Sequence, residues 1–165
     1  MSKAGLEIRS VRGSDEPLLQ AIRKAAFTPV FASFRSILGD EIYDLAQARE
    51  DKAQEGFLSS MLRAESEWEV YTVELENKVV GFVSVLLNRQ TKVGEIGLNA
   101  VHPSYAGKGI GTEMYNFSIA RMKEVGMKVA TVGTGGAPSH AAARRAYRKA
   151  GFTVEIPSIW MCRTL

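Results

Sequence analysis

The sequence has a single cysteine, Cys162, among its 165 residues. One thiol cannot close a disulfide within the chain, and it excludes any metal site built from several cysteines. We therefore expect no bound metal. A nucleophilic cysteine also needs neighbours that favour the thiolate, and Cys162 has no such partner near it in the sequence. We interpret it as a buried or edge-strand thiol without a catalytic role.

Long hydrophobic runs are absent as well, since no stretch approaches the roughly 20 apolar residues that a membrane helix needs. Met1 to Gly5 lack the apolar core of a signal peptide, so a cytoplasmic location is the default expectation. Hydrophobic residues make up 45% of the chain and charged residues 24%, which is an ordinary globular composition. The length suits one domain over residues 1–165, with a sizeable core.

No long block of lysines and arginines occurs, although the formal net charge is +3 and the pI is near 9.1. Such a charge suits an anionic ligand, and it would also suit weak contact with nucleic acid. Because the basic residues are spread along the chain, we interpret most of them as part of a mixed, solvated surface. We therefore expect neither nucleic acid nor a membrane as the main partner, whereas a homodimer is possible.

The sequence has strand patterns near its N-terminus and again in the middle of the chain. Leu6 to Arg12 alternates apolar and polar residues, as a half-buried strand does. Trp68 to Leu75, Val79 to Leu87 and Val93 to Val101 predict an antiparallel meander, with a hairpin turn at Glu76-Asn77-Lys78.

Helical spacing predicts a first helix that starts at Ser14 or Asp15 and is broken at Thr28-Pro29. Val30 to Ala64 predicts further helical pieces, interrupted at Gly39. After the meander, the sequence predicts a helix from Ile110 to about Val125 and a short strand at Lys128–Val132, parallel to the preceding strand. An alanine-rich helix follows and ends at Ala150. One or two last strands are predicted within Phe152–Leu165, broken at Pro157.

The most informative stretch joins the third strand of the meander to the next helix. It places three glycines at alternate positions, Gly107, Gly109 and Gly111, around Lys108. Glycine lets backbone N–H groups approach a ligand closely. The first N–H groups of a helix, here those from Ile110 to Thr112, have no partner inside the helix and lie at its positive end. The stretch therefore predicts an anion site, most often one for phosphate, although a glycine-rich turn without a ligand remains open.

Neither common nucleotide loop fits this spacing. A dinucleotide fingerprint needs G-x-G-x-x-G, but Thr112 stands where its third glycine would be. A Walker A loop needs wider glycine spacing followed by Lys-Ser or Lys-Thr, which is also absent.

A second motif lies at His140-Ala141-Ala142-Ala143-Arg144-Arg145-Ala146-Tyr147-Arg148-Lys149-Ala150-Gly151-Phe152. With the glycine loop it resembles the GNAT-type acyl-CoA N-acyltransferases. Their loop reads Arg/Gln-x-x-Gly-x-Gly and their later motif Asn-x-x-Ala-x-x-Leu-Tyr-x-Lys-x-Gly-Phe. The sequence departs from the family in three places: Ala106 replaces the Arg or Gln, His140 the Asn, and Ala146 the Leu.

The resemblance implies an α/β (α+β) fold with a mixed, mostly antiparallel central sheet of about six or seven strands and helices on both faces. Two parallel strands splay apart and receive the pantetheine arm of the acyl carrier, whose amides pair with strand-edge backbone. A β-bulge near Gly97 would open the sheet. The implied cofactor-binding residues are Asn99, Ala100, Val101, Ala106, Gly107, Lys108, Gly109, Ile110, Gly111, Thr112, His140 and Ala143.

The resemblance also implies the chemistry, which is direct transfer of an acetyl group from acetyl-CoA to a primary amine. Tyr147 matches the family tyrosine that protonates the departing thiolate; the alternative is a tyrosine packed on the sheet. Glu95 is the candidate base, directly or through water, or else a solvent-facing or ion-paired residue. His140 could relay protons, but we favour a hydrogen bond to cofactor or backbone.

The helical segment after the first strand usually borders the acceptor cleft in this superfamily. Phe31, Phe34 and Tyr43 are candidates for the cleft wall, with burial in the core favoured for such aromatics. A small-molecule amine is the preferred acceptor, and a protein N-terminus or lysine is the alternative. A non-catalytic acyl-CoA sensor and a nucleic-acid-binding module are the rival classes.

Overall fold

The computed structural model describes residues 5–165, and residues 1–4, which belong to the Met1 to Gly5 segment discussed above, lie outside it. The described part contains five strands and five α-helices. Their bounds are β1 (Leu6–Ser10), α1 (Glu16–Leu38), α2 (Asp40–Ala46), α3 (Ala48–Met61), β2 (Trp68–Leu75), β3 (Lys78–Asn88), β4 (Val93–Val101), α4 (Ile110–Glu124), β5 (Val129–Val132) and α5 (Ala141–Lys149).

The strands form one mixed sheet in the order β1-β2-β3-β4-β5. The first four are antiparallel neighbours, and β5 runs parallel to β4. Glu76 and Asn77 turn the chain between β2 and β3 with positive φ angles of 52° and 63°, as a type I′ hairpin requires. The mixed α/β architecture, the predicted meander and the parallel last pair are confirmed.

Helices cover both faces of the sheet because side chains alternate across it. On one face Phe82 of β3 packs with Leu19 and Ile22 of α1 and with Leu58 of α3. On the other face the core is continuous with α4 and α5, and it includes Val83, Val85, Ile96, Ile110, Met114, Tyr115, Met122 and Tyr147. Each fully buried aliphatic or aromatic side chain contributes about 1.5–3 kcal/mol, so these two clusters hold the helices on the sheet.

An extra residue in β4 opens the sheet. Val83 of β3 pairs with Asn99 of β4, and Val85 pairs with Ile96. Between these two pairs β3 advances by two residues and β4 by three, so β4 contains one extra residue. The predicted β-bulge is therefore present at residues 97–98. Beyond it β4 and β5 part, because their pairing ends at Ile96↔Val132 while β4 continues to Val101.

Gly97 fixes the place of this bulge. A Cβ there would collide with the ring of Trp68 and would lie 2.8 Å from Ser84 Oγ. The Ser84 hydroxyl in turn donates to the carbonyl of Leu98, at 2.9 Å. Only a residue without a side chain lets β2, β3 and β4 pack together at this point.

The predicted helix break at Thr28-Pro29 is wrong, since α1 continues through Pro29 to Leu38. The Thr28 hydroxyl donates to the carbonyl of Lys24, at 2.6 Å. Phe27 and Phe31 lie on either side of the proline with their ring centroids 5.9 Å apart. Packing along the helix outweighs the local cost of the missing N–H. Gly39, with a φ of 74°, then ends the helix as predicted.

The one or two strands predicted within Phe152–Leu165 are absent from the described chain, which explains why the sheet has five strands instead of six or seven. Residues 153–165 are exposed and belong to no sheet. Cys162 is consequently exposed, and the prediction of a buried or strand thiol is wrong. Within residues 5–165, no helix combines the length and apolarity needed to cross a membrane.

Gly97→Ala should destabilise the protein by about 1–3 kcal/mol, because the new methyl group overpacks the site against the Trp68 ring. Urea unfolding followed by circular dichroism measures the change. Gly136→Ala is the matched control, since a Cβ there meets nothing within 4 Å. Equal unfolding midpoints for the two variants would contradict the role assigned to Gly97.

Candidate active site

A cavity of about 680 Å³ lies where β4 parts from β5. Residues of α1 and α3 border it on one side of the sheet, and residues of α4 and α5 border it on the other. The opening of the sheet thus becomes a passage that joins the glycine loop to a second compartment under α1 and α3.

The glycine loop forms a cradle at the start of α4. Gly107 and Gly109 have positive φ angles of 75° and 78°, and a Cβ on either would meet nothing within 4 Å. Open space therefore faces the backbone here. The first N–H groups of α4 have no helical acceptor and can bind an anion at the positive helix end.

Most of the predicted cofactor-binding residues line this cavity together, and they are Asn99, Ala100, Val101, Ala106, Gly107, Gly109, Ile110, Gly111, Thr112, His140 and Ala143. Lys108 is not among the lining residues. Its ammonium group lies over the ring of Tyr105, 4.9 Å from the centroid. Contact of any of these residues with a cofactor stays a prediction.

Asn99 forms hydrogen bonds of defined direction with two tyrosine side chains and one backbone carbonyl. Its amide nitrogen donates to the carbonyl of Gly97 at 2.8 Å and to the hydroxyl of Tyr147 at 3.1 Å. Its amide oxygen accepts from the hydroxyl of Tyr115 at 2.8 Å. A carbonyl can only accept, so the contact with Gly97 fixes which way the amide points. Tyr147 is therefore an acceptor toward Asn99, which leaves its own proton for another partner.

Tyr115 keeps this direction stable. Burial, and then the neighbouring phenol of Tyr147, raise the pKa of Tyr115 above its ordinary value. The two rings stack with centroids 4.3 Å apart. Tyr115 thus stays protonated and remains a donor to Asn99. Tyr147 itself lines the cavity.

His140 lies at the start of α5 and lines the cavity. Its ring stacks on Phe34 of α1, with centroids 5.8 Å apart, and Gly135 leaves the space that the ring occupies. Burial, and then the charge of Arg144, lower the pKa of His140. The imidazole is therefore neutral at physiological pH and is suited to hydrogen bonding.

Arg144 holds the loop that precedes α5. One guanidinium nitrogen donates to the carbonyl of Gly135 at 2.5 Å and to that of Ala137 at 2.9 Å. This loop contributes Gly133 and Thr134 to the cavity wall, so the contact fixes one border of the site.

The second compartment, under α1 and α3, has a different character. Its wall is largely apolar and includes Phe27, Val30, Phe57 and Trp68, with Phe57 packed edge-on to Trp68 at 6.2 Å. Gln54 and the exposed carboxylate of Glu95 are among the side chains that bring oxygen atoms to the cavity. Gln54 Oε1 is buried and has no hydrogen-bond partner among the described residues. A buried acceptor without a partner is costly, and a donor on a bound molecule would satisfy it.

The three aromatic residues predicted for the acceptor wall do not line the cavity. Tyr43 is buried in a small cluster, where its hydroxyl donates to Asp51 at 2.6 Å and its ring lies beneath the Arg35 guanidinium. Phe31 contacts Phe27, and Phe34 contacts His140. Phe31 and Phe34 therefore lie behind residues that do border the cavity.

The acetyltransferase (GNAT) family model matches residues 35–152. The chain belongs to the GNAT family. No curated protein sequence matches this GNAT protein significantly. Its fold is nevertheless similar to that of solved family members at low sequence identity.

Three solved structures illustrate the likeness. The PaiA N-acetyltransferase from Thermoplasma acidophilum in complex with coenzyme A has a TM-score of 0.70 at 20% identity, covering 96% of this chain and 94% of that one. The ribosomal-protein-S18-alanine N-acetyltransferase from Escherichia coli has a TM-score of 0.64 at 18% sequence identity, and the match covers 92% of this chain and 79% of that one. A GNAT acetyltransferase from Brucella melitensis in complex with acetyl-CoA has a TM-score of 0.62 at 18% sequence identity, and the match covers 90% of this chain and 83% of that one.

Sequence reasoning missed several residues of the site in this GNAT protein. Tyr115 falls within the helix predicted from Ile110 to about Val125, but no sequence pattern assigns a site role to it or to Gln54. Arg145 and Lys149 also line the cavity. Their i, i+4 spacing on α5 puts them on one helix face, which is the signal that could have identified them.

Proposed function

We propose that this GNAT protein transfers an acetyl group from acetyl-CoA directly to a primary amine, and that the amine belongs to a small molecule. The observation that carries the proposal is the opening between β4 and β5 directly beside the amide cradle of α4. Acetyl-CoA supplies the activated acyl thioester, and the chain supplies binding, orientation and proton transfer.

The donor's diphosphate fits the cradle formed by the loop from Gly107 and the first turn of α4. Its extended arm fits the unpaired edge of β4 at Asn99, Ala100 and Val101, where backbone groups can pair with amides as an added strand does. Ala106 brings no side-chain donor to the loop. Arg145 and Lys149, at the cavity wall, supply positive charge near the phosphates in its place.

Acyl transfer requires that the amine nitrogen bonds to the thioester carbon, that the carbon–sulfur bond breaks, and that the thiolate receives a proton. Tyr147 gives that proton; its hydroxyl oxygen accepts from Asn99, and this supports the role because that bond does not use the hydroxyl hydrogen. Glu95, at the cavity wall, takes the proton that the amine must lose, directly or through a water molecule.

The compartment under α1 and α3 supports a small amine as the acceptor. Phe27, Val30, Phe57 and Trp68 offer apolar contact, while Gln54 Oε1 and the carboxylate of Glu95 accept hydrogen bonds from an amine. Residues of α1 and α3 supply this wall, and the match of its apolar surface and hydrogen-bond acceptors to a small amine is what favours that acceptor over a protein N-terminus or lysine.

An amine-panel assay tests the function. The purified protein is incubated with acetyl-CoA and a panel of small primary amines. A parallel assay replaces the amines with peptides that carry a free N-terminus or a lysine. Release of free thiol together with a gain of one acetyl mass on a small amine is the expected result. Transfer only to peptides would overturn the choice of acceptor. Tight binding of acetyl-CoA without transfer to any amine would identify a sensor instead.

Tyr147→Phe should lower kcat by about 100-fold, which is typical for losing a general acid, with little change in the KM for acetyl-CoA. Steady-state kinetics with the best amine of the panel measure both constants. Tyr71→Phe is the control, because Tyr71 hydrogen-bonds to Glu69 and does not line the cavity. An unchanged kcat in Tyr147→Phe would remove this residue from the mechanism.

Gln54→Met should raise the KM for the amine by about tenfold, the equivalent of one lost hydrogen bond of roughly 1.4 kcal/mol. The KM for acetyl-CoA should stay the same, because the cradle is untouched. Gln90→Met is a suitable control, since Gln90 is exposed and lies outside the cavity. Equal KM values for the amine in both variants would exclude Gln54 from the acceptor site.

A further inference from the structure

The compartment under α1 and α3 has an aromatic wall that is only partly covered. Phe57 of α3 lines the cavity although it is 45% exposed, and its ring meets that of Trp68 edge-on. Ala26, Phe27 and Val30 of α1 extend the apolar wall. Exposed apolar surface in a concave site is what the body of a ligand buries. Because aromatic rings prefer edge-on or offset contacts, a ring on a ligand suits the corner between Phe57 and Trp68.

Negative charge is scarce in the cavity. Among the described residues that line it, Glu95 is the one carboxylate, whereas the cations Arg145 and Lys149 belong to α5 on the opposite side of the sheet. Ile96 packs in the core with residues of α4. Since side chains alternate along a strand, Glu95 lies on the face toward α1 and α3. The compartment therefore combines one negative charge with an apolar, aromatic wall.

Two further carboxylates of α3 are close to this wall in sequence but are already engaged. Asp51 and Glu55 flank Gln54, and neither lines the cavity. Asp51 is buried and accepts from the Tyr43 hydroxyl at 2.6 Å. Glu55 lies 3.8 Å from the guanidinium of Arg23. Gln54 itself is uncharged, so it cannot neutralise a cation as these carboxylates do.

A bound molecule with several ammonium groups is therefore disfavoured. Taking a charge out of water carries a large penalty unless an opposite charge compensates it. The face of an aromatic ring attracts a cation, but this gain is smaller than the penalty for a charge left without a counter-ion. A molecule with one amine near Glu95 avoids the penalty, and its apolar body buries the ring surface of Phe57 and Trp68.

We propose that the acceptor is a monoamine with an aromatic body, in which a short alkyl chain joins one primary amine to a ring. The amine faces Glu95, and the ring packs in the corner between Phe57 and Trp68. This substrate class rests on the proposed acetyl transfer to a small amine and narrows it. Diamines, polyamines and amino sugars, which carry several cationic groups, are the classes that the compartment rejects.

Three amines that differ by one group each test the proposal. Butylamine lacks the ring of phenethylamine, and putrescine adds a second amine to butylamine. At saturating acetyl-CoA, kcat/KM should fall in the order phenethylamine, butylamine, putrescine. The first value should exceed the last by about 100-fold, since the buried ring and the absent second charge contribute about tenfold each. Thiol release measures the rates. Equal or reversed values in either neighbouring pair would overturn the proposal.

Calorimetric titration separates this proposal from the proposed function. In the presence of coenzyme A, phenethylamine should bind the protein about tenfold more tightly than putrescine, whether or not transfer occurs. This preference without transfer to any amine would overturn the transferase function and leave the ligand class standing. Transfer to amines together with equal or tighter binding of putrescine would overturn the ligand class alone. Absence of phenethylamine binding would overturn it as well.

Phe57→Asp should shift the preference, because it replaces ring surface with a second carboxylate. The ratio of the dissociation constants of putrescine and phenethylamine should fall by about tenfold. Val30→Asp, which changes the same wall from α1, should lower the ratio as well. Leu45→Asp is the control, since Leu45 is 83% exposed on α2 and does not line the cavity. Circular dichroism checks that each variant is folded. The original ratio in both folded wall variants would contradict the proposal.

Discussion

The structure depends on a steric constraint at Gly97. The Trp68 ring occupies the place where a side chain would stand, and one additional residue in β4 shifts its pairing with β3. Because a bulged strand bends and twists more strongly, β4 leaves β5 after Ile96. The cavity, the exposed backbone from Asn99 to Val101 and the position of the amide cradle all follow from that departure.

The same stretch of β4 organises the hydrogen bonds among Asn99, Tyr115 and Tyr147. Leaving the ladder places the Asn99 side chain between Tyr115 and Tyr147, with its amide nitrogen held by the carbonyl of Gly97. In the proposed function, the bulge would provide both the opening for the donor and the carbonyl that orients the Asn99 amide. Binding and catalysis would then share one backbone irregularity, which Trp68 and Ser84 hold in place.

Local patterns predicted most of the fold and the cradle. The meander, the hairpin at Glu76-Asn77 and the interruption at Gly39 each depend on neighbours in sequence, and all three are present. Pro29 shows the limit, because contacts along α1 outweighed a strong local signal. The missing last strands show another limit, since alternation predicts a strand but does not say to which sheet it will add.

The acceptor side shows why the rest of the site was harder to predict. The sequence predicts Phe31, Phe34 and Tyr43 as candidates for the cleft wall, but Phe27, Phe57 and Trp68 line the cavity instead. Which aromatic residues line the cavity depends on the rotation of α1 and α3 about their axes on the sheet. Packing between distant parts of the chain determines that rotation. Gln54 is visible only through an atom left without a partner once the helices are in place.

The bare edge of β4 differs from the outer edge of the sheet in one respect. It borders a cavity whose wall comes from helices on both faces of the sheet, whereas the outer edge of β5 lies at the end of the sheet. A molecule that pairs with the β4 edge would therefore touch elements far apart in sequence. By linkage, its binding would raise the free energy of unfolding of the whole domain.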